Sequence, residues 1–122
     1  MLNEHLTQQS VILLVAIASA TSLSGSALAC PTIDITASNW KFTPAKISVP
    51  VGELTTLRLT STGGVHGFKS DELGVKDTTI RPDKPVNVVF TPKKPGTYVV
   101  HCSIMCGPGH PDMTLTVTVA AK

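Results

Sequence analysis

Residues 114–120 read Thr-Leu-Thr-Val-Thr-Val-Ala, an alternation that puts Leu115, Val117 and Val119 on one face and Thr114, Thr116 and Thr118 on the other. A period of two marks a strand with one buried face, whereas a helix repeats every 3.6 residues. Leu54, Leu57 and Leu59, set against Thr55, Arg58 and Thr60, behave similarly but less cleanly. Other stretches rich in Val, Ile, Thr and Leu lie at 33–37, 46–49, 65–69, 86–91 and 97–102. Turn formers separate them: Pro50-Val51-Gly52, Gly63-Gly64, Pro82-Asp83-Lys84-Pro85 and Pro92-Lys93-Lys94-Pro95-Gly96. After Cys30 no long stretch keeps a helical period. Seven or so short strands at this spacing predict an all-β fold, an antiparallel β-sandwich.

The first 29 residues differ in kind from the rest. A polar start gives way to the apolar run 11–23 and then to Ser26-Ala27-Leu28-Ala29-Cys30. An apolar run ending in small residues and Ala-x-Ala is an export signal. It is short for a membrane span, which needs about 20 apolar residues. The leader carries Glu4 and no Lys or Arg, so its only positive charge is the amino terminus, and an uncleaved anchor is the competing reading. The expected organisation is a signal peptide or lipoprotein leader over 1–29 and one domain over 30–122. Ser26 to Cys30 also resembles a lipoprotein cleavage site, with Ala27 where Leu is usual. A lipidated Cys30 would tether the domain to a membrane, and an unmodified one would be a lone thiol in an oxidising compartment.

Beyond the leader stand ten Lys and Arg against seven Asp and Glu. The charges are scattered, and no basic run interleaves with aromatics, so nucleic acid is not an expected partner. An acidic docking patch is not evident either.

Chemistry concentrates in His101-Cys102-Ser103-Ile104-Met105-Cys106-Gly107-Pro108-Gly109-His110-Pro111-Asp112-Met113, where Cys102, Cys106, His110 and Met113 are spaced C-x3-C-x3-H-x2-M. The segment leaves a strand and enters a Gly-Pro-Gly turn, so a wrapped loop can gather these side chains. Thiolate and thioether select copper(I), and imidazole accepts both copper states. Zinc prefers Cys and His, so Met113 tilts the choice towards copper. His66, after the Gly63-Gly64 turn, can reach the same end of a sandwich. A distant His with a Cys/His/Met loop is the general arrangement of blue-copper sites, but those need a single Cys.

Val65-His66-Gly67-Phe68, Pro95-Gly96-Thr97-Tyr98 and Cys102-x3-Cys106-Gly107-x2-His110-x2-Met113 together resemble the CuA domain of cytochrome oxidase subunit II, a centre also found in nitrous oxide reductase. The similarity spans roughly residues 30–122 and is densest from Val65 to Val119. It implies a cupredoxin-like antiparallel Greek-key sandwich carrying two copper ions. Cys102 and Cys106 would bridge both ions, and His66 and His110 would each complete one. Met113 and the backbone carbonyl of Ile104 would be weak ligands. Subunit II often has Glu at the Ile104 position; the carbonyl is retained here, but any second role of that carboxylate is lost.

Other readings compete. Cys102 and Cys106 could form a redox dithiol of the kind found in thioredoxin-fold copper-delivery proteins, but those open a helix and these flanks read as strands. A simple disulfide leaves His110 and Met113 unexplained. Met105 matches no ligand position and is expected to pack or to dock. Strand alternation turns His101 away from Tyr98, Val100 and Cys102, so His101 is expected to be a non-ligand. Trp40 and Phe42 are expected in the core, with an aromatic near the site as a route for electrons. No acid–base pair or substrate pocket is evident, so the expected activity is electron relay without catalysis. The partner would be a redox protein such as a cytochrome or terminal reductase. Copper handling and a truncated, soluble oxidase subunit are the alternatives.

Overall fold

The computed structural model describes residues 31–122, so the expected leader, its cleavage site and Cys30 lie outside the described residues. Nine strands form two sheets: β1 (Thr32–Ser38), β2 (Lys41–Thr43), β3 (Lys46–Pro50), β4 (Thr55–Ser61), β5 (His66–Ser70), β6 (Val75–Ile80), β7 (Val86–Phe90), β8 (Gly96–His101) and β9 (Thr114–Ala120). One sheet has the order β2-β1-β4-β7, the other β3-β9-β8-β5-β6. Among the described residues the only helical element is a 3-10 turn, His110–Asp112, and no helix is long and apolar enough to cross a membrane.

The sandwich is all-β as expected, but its sheets are mixed. β1 pairs in parallel with β4, and β3 in parallel with β9; most other pairs are antiparallel. The cause is the path of the chain. After the β1–β2 hairpin it crosses to the other sheet as β3, then returns as β4 beside β1 in the same direction. β2 and β6 are the strands that the sequence pattern did not reveal. β2 is three residues long, too short to show a period, and β6 reads Val-Lys-Asp-Thr-Thr-Ile, with apolar residues only at its ends.

Alternation delivers the core. Leu57 and Leu59 of β4, Leu115, Val117 and Val119 of β9, and Ile35 and Ala37 of β1 all point inwards. Leu54 is out of phase: β4 begins at Thr55, which is buried, and Leu54 stays exposed. The rings of Phe42 and Phe68 meet edge to face across the two sheets with centroids 5.3 Å apart, an arrangement worth about 0.5–1.5 kcal/mol beyond area burial. Because β1 and β4 run in parallel, their carboxyl ends reach the same edge of the sandwich. There the β1–β2 turn (39–40), the β4–β5 turn (62–65) and the β8–β9 loop (102–113) come together.

Candidate metal centre

The β8–β9 loop closes on itself. The Cys102 amide donates to the Met113 carbonyl at 3.2 Å, joining the end of β8 to the start of β9. Inside the loop, the amides of His110, Asp112 and Met113 donate to the carbonyls of Gly107, Gly109 and His110 at 3.1, 3.1 and 3.2 Å. These i→i+3 bonds wind residues 107–113 tightly enough to turn His110 and Met113 back towards the cysteines.

The donor atoms converge. Cys102 Sγ and Cys106 Sγ are 3.4 Å apart and both thiols are free. Cys106 Sγ lies 3.7 Å from His110 Nδ1 and 3.7 Å from Met113 Sδ. The Ile104 carbonyl oxygen is 3.1 Å from Cys102 Sγ. His66, far away in sequence, offers a ring nitrogen within 4.8 Å of both cysteine sulfurs. His66, Cys102 and Cys106 thus gather at one point, with His110 and Met113 reaching it through Cys106 and the Ile104 carbonyl through Cys102. His66, Cys102 and Met113 are at most 4% exposed, so the point is largely dry.

His66 is held in one tautomer. Its Nε2 is 2.7 Å from the Gly63 carbonyl, which can only accept, so Nε2 carries the proton. Nδ1 is left with a lone pair, buried and without a hydrogen-bond partner. An unpaired buried acceptor costs about 1–3 kcal/mol, and a metal ion would satisfy it. A hydrogen bond on the far nitrogen of a ligating His is the usual second contact that fixes its orientation. Ser61 prepares that contact. Its hydroxyl donates to the Gly64 carbonyl at 2.7 Å and accepts from the Gly63 amide at 3.2 Å, shaping the Gly63-Gly64 turn. Ser61 escaped the sequence reading, although a Ser two residues before a Gly-Gly pair is a side-chain-capped turn signal.

Gly67 brings β5 against the loop. Its amide donates to Cys102 Sγ at 3.4 Å, and a Cβ there would stand 2.6 Å from the Ile104 amide nitrogen and 2.7 Å from that of Ser103. Only a residue without a side chain permits this approach. The Ser103 hydroxyl donates to the Asp77 carboxylate of β6, tying the start of the loop to a second strand.

Trp40 is not in the core. The β2 strand begins only at Lys41, so the alternation that buries Phe42 does not extend back to Trp40. The indole is 39% exposed, and its Nε1 donates to the Cys106 carbonyl at 3.0 Å. His101 points outwards and is exposed, opposite Val100 and Cys102. Met105 is 77% exposed on the loop surface. Tyr98 is half-buried and donates its hydroxyl to the Lys94 carbonyl at 2.8 Å.

In the metal-free site the Cys106 thiol is pushed up to about 11, first by burial and then by the hydrogen bond to Cys102 and that neighbour's charge. Like charge at neighbouring sulfurs disfavours a second thiolate here unless a cation is present. A metal ion that binds here must displace protons, and its own charge then offsets the thiolates.

Two thiols, two imidazoles, a thioether and a carbonyl make a soft, mixed donor set that suits copper better than zinc or a hard cation. Residues 10–117 match the family profile of the cupredoxin-like domain. The chain belongs to the cupredoxin-like domain family. Membership implies copper binding, with His66, Cys102 and Cys106 as the clustered candidate ligands. This cupredoxin-like domain is similar to cytochrome c oxidase subunit 2 of Thermus thermophilus, with 31% identity over 88 residues, 72% of this chain and 64% of that one. It thus spans less than two thirds of that relative's length. Its fold matches the periplasmic domain of subunit II of the Bradyrhizobium japonicum cytochrome oxidase, with a TM-score of 0.67, 20% identity, and coverage of 75% of this chain and 84% of that one. A chain of a heme-copper terminal oxidase dimer matches with a TM-score of 0.65 and 26% identity, over 73% of this chain and 64% of that one. These similarities agree with the CuA-domain resemblance carried by the ligand motif.

Proposed function

We propose that this cupredoxin-like domain is an exported electron-transfer protein with a two-copper CuA centre. Cys102 and Cys106 would bridge the two ions, His66 and His110 would cap one each, and Met113 and the Ile104 carbonyl would be weak ligands. The observation that carries the reading is the pair of facing thiols, 3.4 Å apart, beside a His66 Nδ1 that is buried and has no other partner. A mononuclear copper site needs one thiol; the second is explained by a second ion.

When bound, the copper pair supplies a one-electron redox couple. The chain supplies the conditions for its use. With both thiols deprotonated the chain would supply two negative charges, so a copper pair carrying three positive charges would leave about one net charge, and near-neutrality lowers the cost of burial. The Gly67 amide stabilises sulfur charge at Cys102. Gly63 holds the His66 ring in the ligating tautomer. Strands β5, β8 and β9 fix ligands from three directions, so their positions need change little when an electron arrives or leaves. No acid–base pair is needed for this role, and the protein is read as a carrier, not an enzyme.

A tether through Cys30 is part of the proposal, and the leader-like residues 1–29 support export to the periplasm or the outer face of a membrane. The periplasmic location of the Bradyrhizobium domain supports it. The partner would be a redox protein such as a cytochrome or a terminal reductase, as the similarity to oxidase subunits suggests. A thioredoxin-like protein would be a second partner, since a subunit II domain of related fold has been captured in a mixed disulfide with one.

Copper per chain, measured together with electron paramagnetic resonance on the copper-loaded domain 30–122, tests the proposal. Two coppers sharing one unpaired electron are expected. One copper with a mononuclear signal, or copper(I) only, would replace the carrier reading with a copper-handling one.

A further inference from the structure

Trp40 stands on the β1–β2 turn, yet its main contacts are with the ligand loop, 66 residues away in sequence. Its Nε1–H donates to the Cys106 carbonyl, the backbone of a candidate bridging ligand. The ring fills the space in front of two loop glycines. A Cβ on Gly107 would stand 2.5 Å from the indole Nε1 and 3.0 Å from Cε2. A Cβ on Gly109 would stand 2.5 Å from Cγ and 2.6 Å from Cβ of Trp40. The two glycines thus provide a flat seat for the indole, and Gly107 also has a φ of +133°, where a side chain is strained. The indole covers the stretch between Cys106 and His110, in which both cysteine and histidine donors must be held. The seat is continuous with the 3-10 winding, because Gly107 and Gly109 are the residues whose carbonyls accept from His110 and Asp112.

We propose that Trp40 is a positioning residue that clamps the Cys106–His110 turn in its ligand-ready shape and so controls how fast copper leaves the loop. The clamp touches no donor atom. It acts through the Cys106 carbonyl and the two glycines. The copper half of this statement rests on the reading of the site as a copper centre; the clamp itself does not.

Hydrogen exchange followed by NMR on the metal-free protein reads the clamp without any metal. The amides of His110, Asp112 and Met113 report the winding of the turn. In Trp40→Ala they should exchange about tenfold faster or more, while amides of β1, β4 and β9 keep their rates; the expected size is that of one lost hydrogen bond plus part of a buried ring face. Trp40→Phe keeps a ring on the glycines and loses only the N–H bond, so about fivefold or less is expected. Gly109→Ala should expel the indole. Trp40 is the only tryptophan in the chain, so its emission should shift to the red, and the same three amides should speed up. In a Trp40→Ala background, where Cγ and the ring are gone but the residue-40 Cβ stays, Gly109→Ala should add less than it does in the wild type.

On the copper-loaded protein, release of copper to an excess of a copper(I) chelator after reduction should be about tenfold faster in Trp40→Ala, at unchanged copper stoichiometry. Unchanged loop exchange in both Trp40 variants would overturn the clamp. So would a uniform rise across all nine strands, which would mark a purely global loss of stability. If Trp40→Ala does not fold, the Phe and Gly109→Ala variants decide the matter by the same amides. A wild-type domain that takes up no copper would overturn the release half together with the site reading, and the exchange data would still judge the clamp alone.

Discussion

Gly67→Ala adds one methyl group at the closest approach between β5 and the ligand loop. Its Cβ would lie 2.6 Å from the Ile104 nitrogen and 2.7 Å from the Ser103 nitrogen, both backbone atoms. Flexible side chains could turn aside, but main-chain atoms cannot. Either β5 or residues 103–104 must shift, and the Gly67 amide must pull back from Cys102 Sγ. Overpacking of this kind costs about 1–3 kcal/mol. For a domain of this size each kcal/mol is worth roughly 4–8 °C in Tm, so a fall of about 10 °C is expected at the middle of that range. The assay is thermal unfolding of the metal-free protein by circular dichroism, followed by copper stoichiometry and the visible spectrum. Gly63→Ala is the matched control: it lies in the neighbouring turn, has nothing within 4 Å of the added Cβ, and should change Tm by no more than about 2–4 °C, the shift for a surface substitution within about 0.5 kcal/mol. A Gly67→Ala protein with the Tm and copper spectrum of the wild type would refute the argument that this glycine is required for close approach.

Other outcomes follow from the same geometry. Cys102→Ser or Cys106→Ser should abolish the two-copper signal, and His101→Ala, whose side chain points to solvent, should leave copper content unchanged by metal analysis; loss of copper in His101→Ala would mean the ligands are misassigned. Met113 is 1% exposed, and Met113→Leu nearly conserves volume, so stability should fall by less than about 1.5 kcal/mol, with copper retained and the electron paramagnetic resonance signal altered. The raised Cys106 pKa makes the metal-free fold favour the protonated thiol, so its contribution is complete below the ordinary thiol value near 9 and is lost as pH rises towards about 11. The Tm of the metal-free domain should therefore fall over that window, and Cys106→Ser should lack this part of the fall.

The candidate ligand loop was legible because its donor types are local. Cys102, Cys106, His110 and Met113 lie within twelve consecutive residues, 102–113, and their spacing survives whatever surrounds them. The outward direction of His101 was likewise legible, because alternation along β8 fixes which side chains face inwards. The parallel pairing of β1 with β4 was not legible, since a strand's own pattern states its buried face and not its neighbour. β6 was hidden because it presents few apolar residues between its ends.

The β-sandwich class, the buried faces of its long strands and the donor types available for a metal could all be read along the chain. Those follow from local alternation and composition. Long-range packing alone places Trp40 over the 102–113 loop while Phe42 enters the core, lets Ser61 and Gly63 hold the His66 ring, and sets Gly67 of β5 and Asp77 of β6 against residues 103–104. Each of these contacts joins loops or strands that are distant along the chain. Their meeting depends on the parallel return of β4 beside β1, which brings three turns to one end of the sandwich, and no local period of residues encodes that return.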